Sequence, residues 1–250
     1  ATFAIITVAL ISGAIADRAK FGAWMVFAGL WATLVYFPVA NWVFNFTLAD
    51  GKVVDGGWIV HDLGVIDFAG GTAVHINAGA AGLALALILG KRFGFSKGIA
   101  QPHNVPLTLL GVALLWFGWF GFNAGSELAA DGLASLAFIN TIAAPAAAML
   151  GWISIEKFKH GKATSIGAGS GAIAGLVAIT PACASLDPIW ALVLGLVAGA
   201  LCALAIDLKY SLGFDDSLDV VGIHLVGGIV GTLWIGIFGN GVGAAFGYGF

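Results

Sequence analysis

Apolar runs of close to twenty residues follow one another along the chain, separated by short stretches that carry most of its charged residues. The runs cover roughly 1–16, 22–44, 67–90, 105–125, 133–155, 166–184, 188–208 and 219–238. About 20 predominantly apolar residues are what a helix needs to cross the hydrocarbon core of a bilayer. The pattern predicts an all-α, polytopic transmembrane helix bundle with about eight helices. The sixth run is short and rich in Gly and Ala. The first begins abruptly at Ala1-Thr-Phe, with no initiator Met and no basic leader. With the Gly-rich end at Asn240–Phe250, this reads as one transmembrane domain over 1–250, a fragment lacking material at both ends.

The polar stretches orient the bundle. Those after the first, third, fifth and seventh runs hold Arg18, Lys20, Lys91, Arg92, Lys97, Lys157, Lys159, Lys162 and Lys209. The other side holds only Lys52. By the positive-inside rule the first side is cytoplasmic. The outer stretches 45–66 and 126–132 carry Asp50, Asp55, Asp62, Glu127 and Asp131. They read either as an acidic vestibule that concentrates cations or as solvated loop charges.

One motif occurs twice in this frame. Asp67 is followed by His75, Gly79 and Gly82; Asp216 is followed by His224, Gly228 and Gly231. Both copies read D-x7-H-x3-G-x2-G. The third run crosses from outside to inside and the eighth from inside to outside, so the two copies point in opposite directions. That is an inverted-topology repeat, with a site expected at the repeat interface near mid-depth. Histidine inside a membrane span is costly to place and marks a functional site by default.

Composition agrees with a membrane protein. The chain is 60% hydrophobic and 9% charged, against about 25% charged in soluble domains, and its mean hydropathy is +1.02. The 38 glycines suit close helix packing where no hydrophobic drive separates helix from lipid. A net charge of −3 gives no sign of a nucleic-acid partner. Cys183 and Cys202 form no motif and imply neither disulfide nor metal. The two histidines lack third and fourth ligands at zinc spacing, so no metal and no cofactor is expected.

The remaining candidates divide by chemistry. Asp216, with Asp215 and Asp219 beside it, reads as helix capping, since a carboxylate suits the N–H groups and positive end of a helix start. Asp67, in Asp-Phe-Ala-Gly-Gly, is also expected to start its helix and to favour a cation on the outer side. The run Trp116-Phe-Gly-Trp-Phe-Gly-Phe-Asn-Ala-Gly-Ser126 is denser in aromatics than an interfacial belt requires. Ring faces attract small cations, so this end of the fourth run is a candidate recruitment site. An intramembrane hydrolase is disfavoured, because Ser126 lies at the outer end of its run, away from a mid-depth histidine.

At Asp67-Phe-Ala-Gly-Gly-Thr-Ala-Val-His75-Ile-Asn-Ala the chain closely resembles the signature of the ammonium transporter (Amt/Mep/Rh) family, in its Amt branch. Gly118-Trp-Phe-Gly-Phe-Asn-Ala-Gly-Ser126, Gly169-Ser-Gly-Ala-Ile-Ala-Gly-Leu-Val177 and Asp219-Val-Val-Gly-Ile-His224 extend the likeness along essentially the whole chain. Family members usually have eleven spans. The resemblance implies that the third to tenth are present, with the first two and the last, with its C-terminal tail, absent.

The resemblance also implies roles. His75 and His224 match the family's twin pore histidines, and Trp119 a pore-wall tryptophan. Phe3 and Phe122 match its stacked gate. Phe122, Ser126 and Asp67 match its outer ammonium site, where Phe44 stands in the place of the usual Trp. Phe is the weaker cation–π partner and lacks the indole N–H; Trp42 and Trp58 are candidates to compensate. The function implied is ammonium transport: recruitment outside, deprotonation, and ammonia conduction through an apolar twin-histidine pore. The alternatives are an Rh-type neutral ammonia or carbon dioxide channel and an ammonium sensor coupled to a cytoplasmic partner. Implied partners are ammonium or ammonia, membrane lipids, two further copies in a homotrimer and a PII-type signalling protein at the inner face. The implied location is a cell membrane of bacterial inner-membrane type.

Overall fold

The computed structural model describes residues 1–49, 52–95, 102–241 and 243. Asp50 and Lys97, counted above among the loop charges, lie outside the described residues, as does most of the Gly-rich end. Every apolar run forms a helical segment. The first is α1 (Thr2–Ala14). The second joins α2 (Phe21–Trp31), a π-turn π1 (Ala32–Tyr36) and α3 (Phe37–Phe44). The third opens with a π-turn π2 (Gly71–Ile76) and continues as α5 (Asn77–Leu89). Next come α6 (Val105–Asn123), α7 (Gly132–His160), α8 (Ser165–Ile179) and α9 (Pro188–Ala205). A short α10 (Leu208–Leu212) precedes the last segment, a π-turn π3 (Val221–Leu225) followed by α11 (Val226–Phe238).

Six of these segments are long and apolar enough to cross a membrane, and α1 and α8 are shorter apolar helices. The sixth run was expected to reach residue 184, but α8 ends at Ile179 and the chain turns through Pro181. Proline has no N–H and disfavours a helical residue before it. The 45–66 stretch holds more order than its polar sequence suggested. Strands β1 (Phe46–Ala49) and β2 (Lys52–Gly56) pair antiparallel, and a single turn, α4 (Trp58–His61), follows.

Two further prolines explain local departures from regular helix. Pro145 lies inside α7 and supplies no N–H to the Thr141 carbonyl one turn earlier. The Trp116 indole N–H takes that carbonyl instead, at 3.0 Å. Pro38 stands just after π1, where a missing donor loosens the ladder and a π-turn fits.

The basic stretches meet on one face, as the alternation requires. Arg18 donates to the Gly90 and Asp215 carbonyls, which brings the ends of three segments together. Arg92 pairs with the buried Asp215 carboxylate at 2.9 Å, and Lys159 pairs with Asp207. On the opposite face the Phe68 N–H donates to Pro181 at 3.1 Å and Asn240 to Ser185 at 2.8 Å. Small residues set the packing between spans. A Cβ added to Gly195 or Gly199 of α9 would collide with the Ala144 or Ala148 carbonyl of α7. The backbones therefore approach closely, as the small-xxx-small pattern permits. Helix α8 is buried on nearly every side by these neighbours.

Candidate functional site

The two motif copies fold alike. Neither Asp67 nor Asp216 begins its helix, contrary to the sequence expectation. Each lies four or more residues earlier and reaches forward to the opening turn. The Asp67 carboxylate accepts N–H bonds from Gly70, Gly71, Thr72 and Ala73 at 2.7–3.1 Å, and the Thr72 hydroxyl donates to it as well. Asp216 accepts from Val220 and Val221 at 3.1 and 2.7 Å. The third residue after each aspartate has a positive φ, +120° at Gly70 and +61° at Asp219. That turn folds the chain back beneath the carboxylate. Glycine takes this conformation freely and aspartate tolerates it; Asp219 is further held by Lys209 at 2.5 Å.

Each copy then runs through a π-turn that carries its histidine, His75 in π2 and His224 in π3. The copies cross with antiparallel contacts. A Cβ on Gly79 would stand 2.6 Å from Leu225, and one on Gly228 would stand 2.9 Å from Ile76. Gly79 and Gly228 are each four residues past a histidine, and Leu225 and Ile76 each one past. The motif glycines thus let the inverted copies interlock. The result is that His75 Nδ1 and His224 Nδ1 lie 3.2 Å apart in the core. Their rings stack at 5.2 Å.

The aromatic run of α6 wraps the pair. His75 stacks on Trp119 at 5.3 Å and on Phe122 at 5.8 Å between ring centroids. The Trp119 indole is fixed by an N–H bond to the Thr180 hydroxyl at 2.8 Å. Phe122 meets Phe3 of α1 at 4.8 Å, and Phe3 meets Phe44 at 6.1 Å. Two cavities adjoin this stack. The outer one, about 930 Å³, is bordered by Phe3, Phe44, Asp67, Ser126 and Glu127 among others. The inner one, about 500 Å³, is mostly apolar and reaches Phe3, Trp119, Phe122 and His224. Phe3 borders both.

The eight residues matched to the pore, gate and outer site are therefore neighbours: Phe44, Asp67 and Ser126 border the outer cavity with Phe3, and ring contacts link Phe3 through Phe122 to Trp119, His75 and His224. Trp42 and Trp58 are not part of this group. They pack on each other at 5.7 Å, and neither borders the outer cavity. Of the outer acids described, Glu127 borders the cavity. Asp131 caps α7, Asp55 accepts from Gly56, and Asp62 pairs with His61. Among the described residues no three His, Cys, Asp or Glu side chains converge to hold a metal.

Sequence reasoning missed Thr180, Thr7 and Tyr36. Thr180 orients Trp119, the Thr7 hydroxyl donates to the Phe3 carbonyl at 2.6 Å, and Tyr36 borders the outer cavity. A threonine or tyrosine within an apolar run carries no periodic signal. Only Pro38, two residues after Tyr36, hinted at an irregular helix there.

Comparison with known proteins gives a consistent picture. Residues 1–247 match the Ammonium Transporter Family. An ammonium transporter of Mycobacterium tuberculosis is 64% identical over 236 residues, covering 94% of this chain and 49% of that protein. The crystal structure of Saccharomyces cerevisiae Mep2 superposes with a TM-score of 0.86 at 44% identity, covering 95% of this chain and 53% of that one. A structure described as a Sensor Amt Protein gives 0.86 at 32% identity, covering 95% and 59%. The chain spans about half the length of the curated relatives it matches.

Proposed function

The chain belongs to the ammonium transporter family, and from that premise we propose that it forms a path by which ammonium nitrogen crosses a membrane. In this reading ammonium enters the outer cavity and meets the ring faces of Phe44 and Phe122 and the Ser126 oxygen. The Ser126 proton is committed to the Phe122 carbonyl at 2.6 Å, which leaves the oxygen free to accept. Asp67 contributes field rather than contact, because its oxygens already accept five hydrogen bonds.

The cation gives up its proton there. An isolated ammonium in an apolar medium costs on the order of tens of kcal/mol, whereas neutral ammonia costs far less. Ammonia passes the Phe3–Phe122 gate and runs along Trp119, His75 and His224. One imidazole donates its Nδ1 proton to the other across 3.2 Å. The pair then keeps one Nε2 acceptor and one Nε2–H donor, which replace part of the lost hydration and relay the released proton. Potassium has no proton to lose and is excluded. The observation that carries this reading is the buried Nδ1–Nδ1 contact beside an apolar cavity. Phe44 gives a weaker cation–π contact than Trp and sets a lower affinity for recruitment. The protein acts as a multi-pass transporter rather than an enzyme, in a cell membrane, as a homotrimer contacting a PII-type protein at its basic face.

A second reading is favoured by one likeness. The Sensor Amt Protein shares the fold at a TM-score of 0.86, so ammonium occupancy could be reported to a cytoplasmic partner instead of leading to flux.

The test is ammonium-evoked current on a supported membrane, for wild type and for His75→Ala with His224→Ala. The wild type carries current and excludes potassium; the double variant loses ammonium flux, potassium exclusion or both. A double variant unchanged in both overturns the twin-histidine path. A wild type without current that still binds ammonium points to a sensor or a neutral gas channel.

A further inference from the structure

Among the described residues three π-turns interrupt the spans, and each includes a polar residue beside the pathway: Tyr36 at the end of π1, His75 in π2 and His224 in π3. Single π-turns are frequent at functional sites, since the extra residue re-aims a side chain without ending the helix. The proposed mechanism uses the two histidines and leaves Tyr36 without a task. Tyr36 is 5% exposed, and it borders the outer cavity together with Phe3, Phe44, Asp67 and Ser126.

Thr7 and the Asp67 carboxylate both lie close enough to act on the Tyr36 hydroxyl. The Thr7 proton is already given to the Phe3 carbonyl at 2.6 Å. Thr7 therefore has no proton to give the phenol oxygen, which keeps lone pairs for another donor. Ser126 is in the same condition, with its proton on the Phe122 carbonyl at 2.6 Å. Thr7 and Ser126 each follow a gate phenylalanine by four residues, and each satisfies that ring's own carbonyl. The outer cavity is thereby bordered by two residues whose hydroxyl oxygens are able to accept, beside rings that offer only π faces. A dehydrating cation with four N–H groups needs such acceptors, and Phe44 supplies no polar group of its own.

We infer that Tyr36 is an ammonium-binding residue of the outer cavity, its phenol oxygen accepting an N–H of the cation opposite Ser126. The inference rests on the ammonium reading above and adds a specificity-determining residue to it. It makes affinity depend on the number of N–H groups the cation presents.

The experiment measures current against concentration for ammonium and methylammonium, using the full chain reconstituted in liposomes. Tyr36→Phe removes one oxygen and keeps the ring. The half-saturating ammonium concentration is expected to rise about tenfold, the scale of one hydrogen bond to a charged group, with maximal current within about twofold of wild type. Methylammonium, already one N–H short, is expected to shift less. Thr7→Val provides a second variant. It removes the hydroxyl that acts on Tyr36 and should shift half-saturation in the same direction by a smaller factor. Unchanged half-saturation in both variants overturns the inference, as does a fall in maximal current alone, which marks a structural role. A wild type that gives no ammonium current overturns the transport reading itself and this inference with it.

Discussion

His75 and His224 stand Nδ1 to Nδ1 at 3.2 Å although 149 positions separate them in the chain. The contact depends on how closely two inverted copies of one motif approach, and that approach is set by residues with no side chain. A methyl on Gly79 would meet Leu225 at 2.6 Å, and one on Gly228 would meet the Gly71 carbonyl and Ile76 at 2.9 Å.

Gly79→Ala and Gly228→Ala are therefore expected to force the copies apart. Each should lower stability by about 1–3 kcal/mol, the usual range for overpacking, and each should reduce ammonium current by separating the imidazoles. Thermal unfolding in detergent and current measurements check this together. Wild-type behaviour in either variant would show that the interlock tolerates a methyl group.

Thr180 holds Trp119 through a buried hydrogen bond of 2.8 Å. Thr180→Val keeps the shape and leaves the indole N–H without its partner, at a cost of about 1–3 kcal/mol. The expected result is a less stable protein whose Trp119 fluorescence shifts as the ring loses its fixed orientation. An unaltered emission spectrum and melting temperature would contradict the assignment.

On the basic face the Asp215 carboxylate is completely buried between Arg92, at 2.9 Å, and Arg18. Asp215→Asn leaves two guanidinium groups facing a neutral amide. Removing one member of a buried charge pair typically costs about 3–5 kcal/mol. Because this knot ties together the ends of α1, α5 and α10, the loss should appear as faster proteolysis at 15–20 and 90–95. Cleavage rates equal to wild type would sink the idea.

Stability should also change with pH at Asp216. Burial raises this carboxyl to about 6; Asp219 adds to the rise, while Lys209 and the N–H groups of Val220 and Val221 oppose it. A carboxyl whose folded value exceeds its unfolded value favours the fold when protonated. Its contribution is complete below about 3.8 and is lost as pH climbs through about 6. A shift of roughly two units corresponds to something on the order of 3 kcal/mol. Asp215 runs the opposite way: burial acts to raise it, but hydrogen bonds and charge from Arg92 and Arg18 leave it lowered. Its contribution persists above the ordinary carboxylate range and disappears only in stronger acid. Unfolding temperatures at pH 5 and 7 test this, since wild type should lose more stability over the interval than Asp216→Asn. Parallel slopes would refute it.

Much of this was legible before any coordinates. The apolar runs located all eight helical segments, because a span must satisfy its own backbone hydrogen bonds and helix is the local solution. The split of Lys and Arg grouped the basic stretches, and these are tied together where Arg18 and Arg92 meet Asp215 and Lys159 meets Asp207. The repeated D-x7-H-x3-G-x2-G motif marked His75 and His224 and their opposite directions. Less legible were the helix starts. Asp67 and Asp216 were expected at the first turn, but a positive-φ residue at 70 and 219 sets each one back. The sequence also offered Trp42 and Trp58 as substitutes for a missing tryptophan, and they pack on each other instead.

What the sequence determined by itself is what depends on neighbours in the chain: hydrophobic length, charge on alternate loops and a repeated local motif. What only the tertiary structure decided is which atoms face one another across the bundle. The 3.2 Å imidazole contact, the Trp119–Thr180 bond and the place of Tyr36 beside Asp67 and Ser126 at the outer cavity all join residues far apart in sequence. Lipid is as apolar as leucine, so helix hydrophobicity alone does not choose between partners. The choice falls to glycine-sized gaps, proline-freed carbonyls and π-turns, whose effect exists only once the helices are packed together.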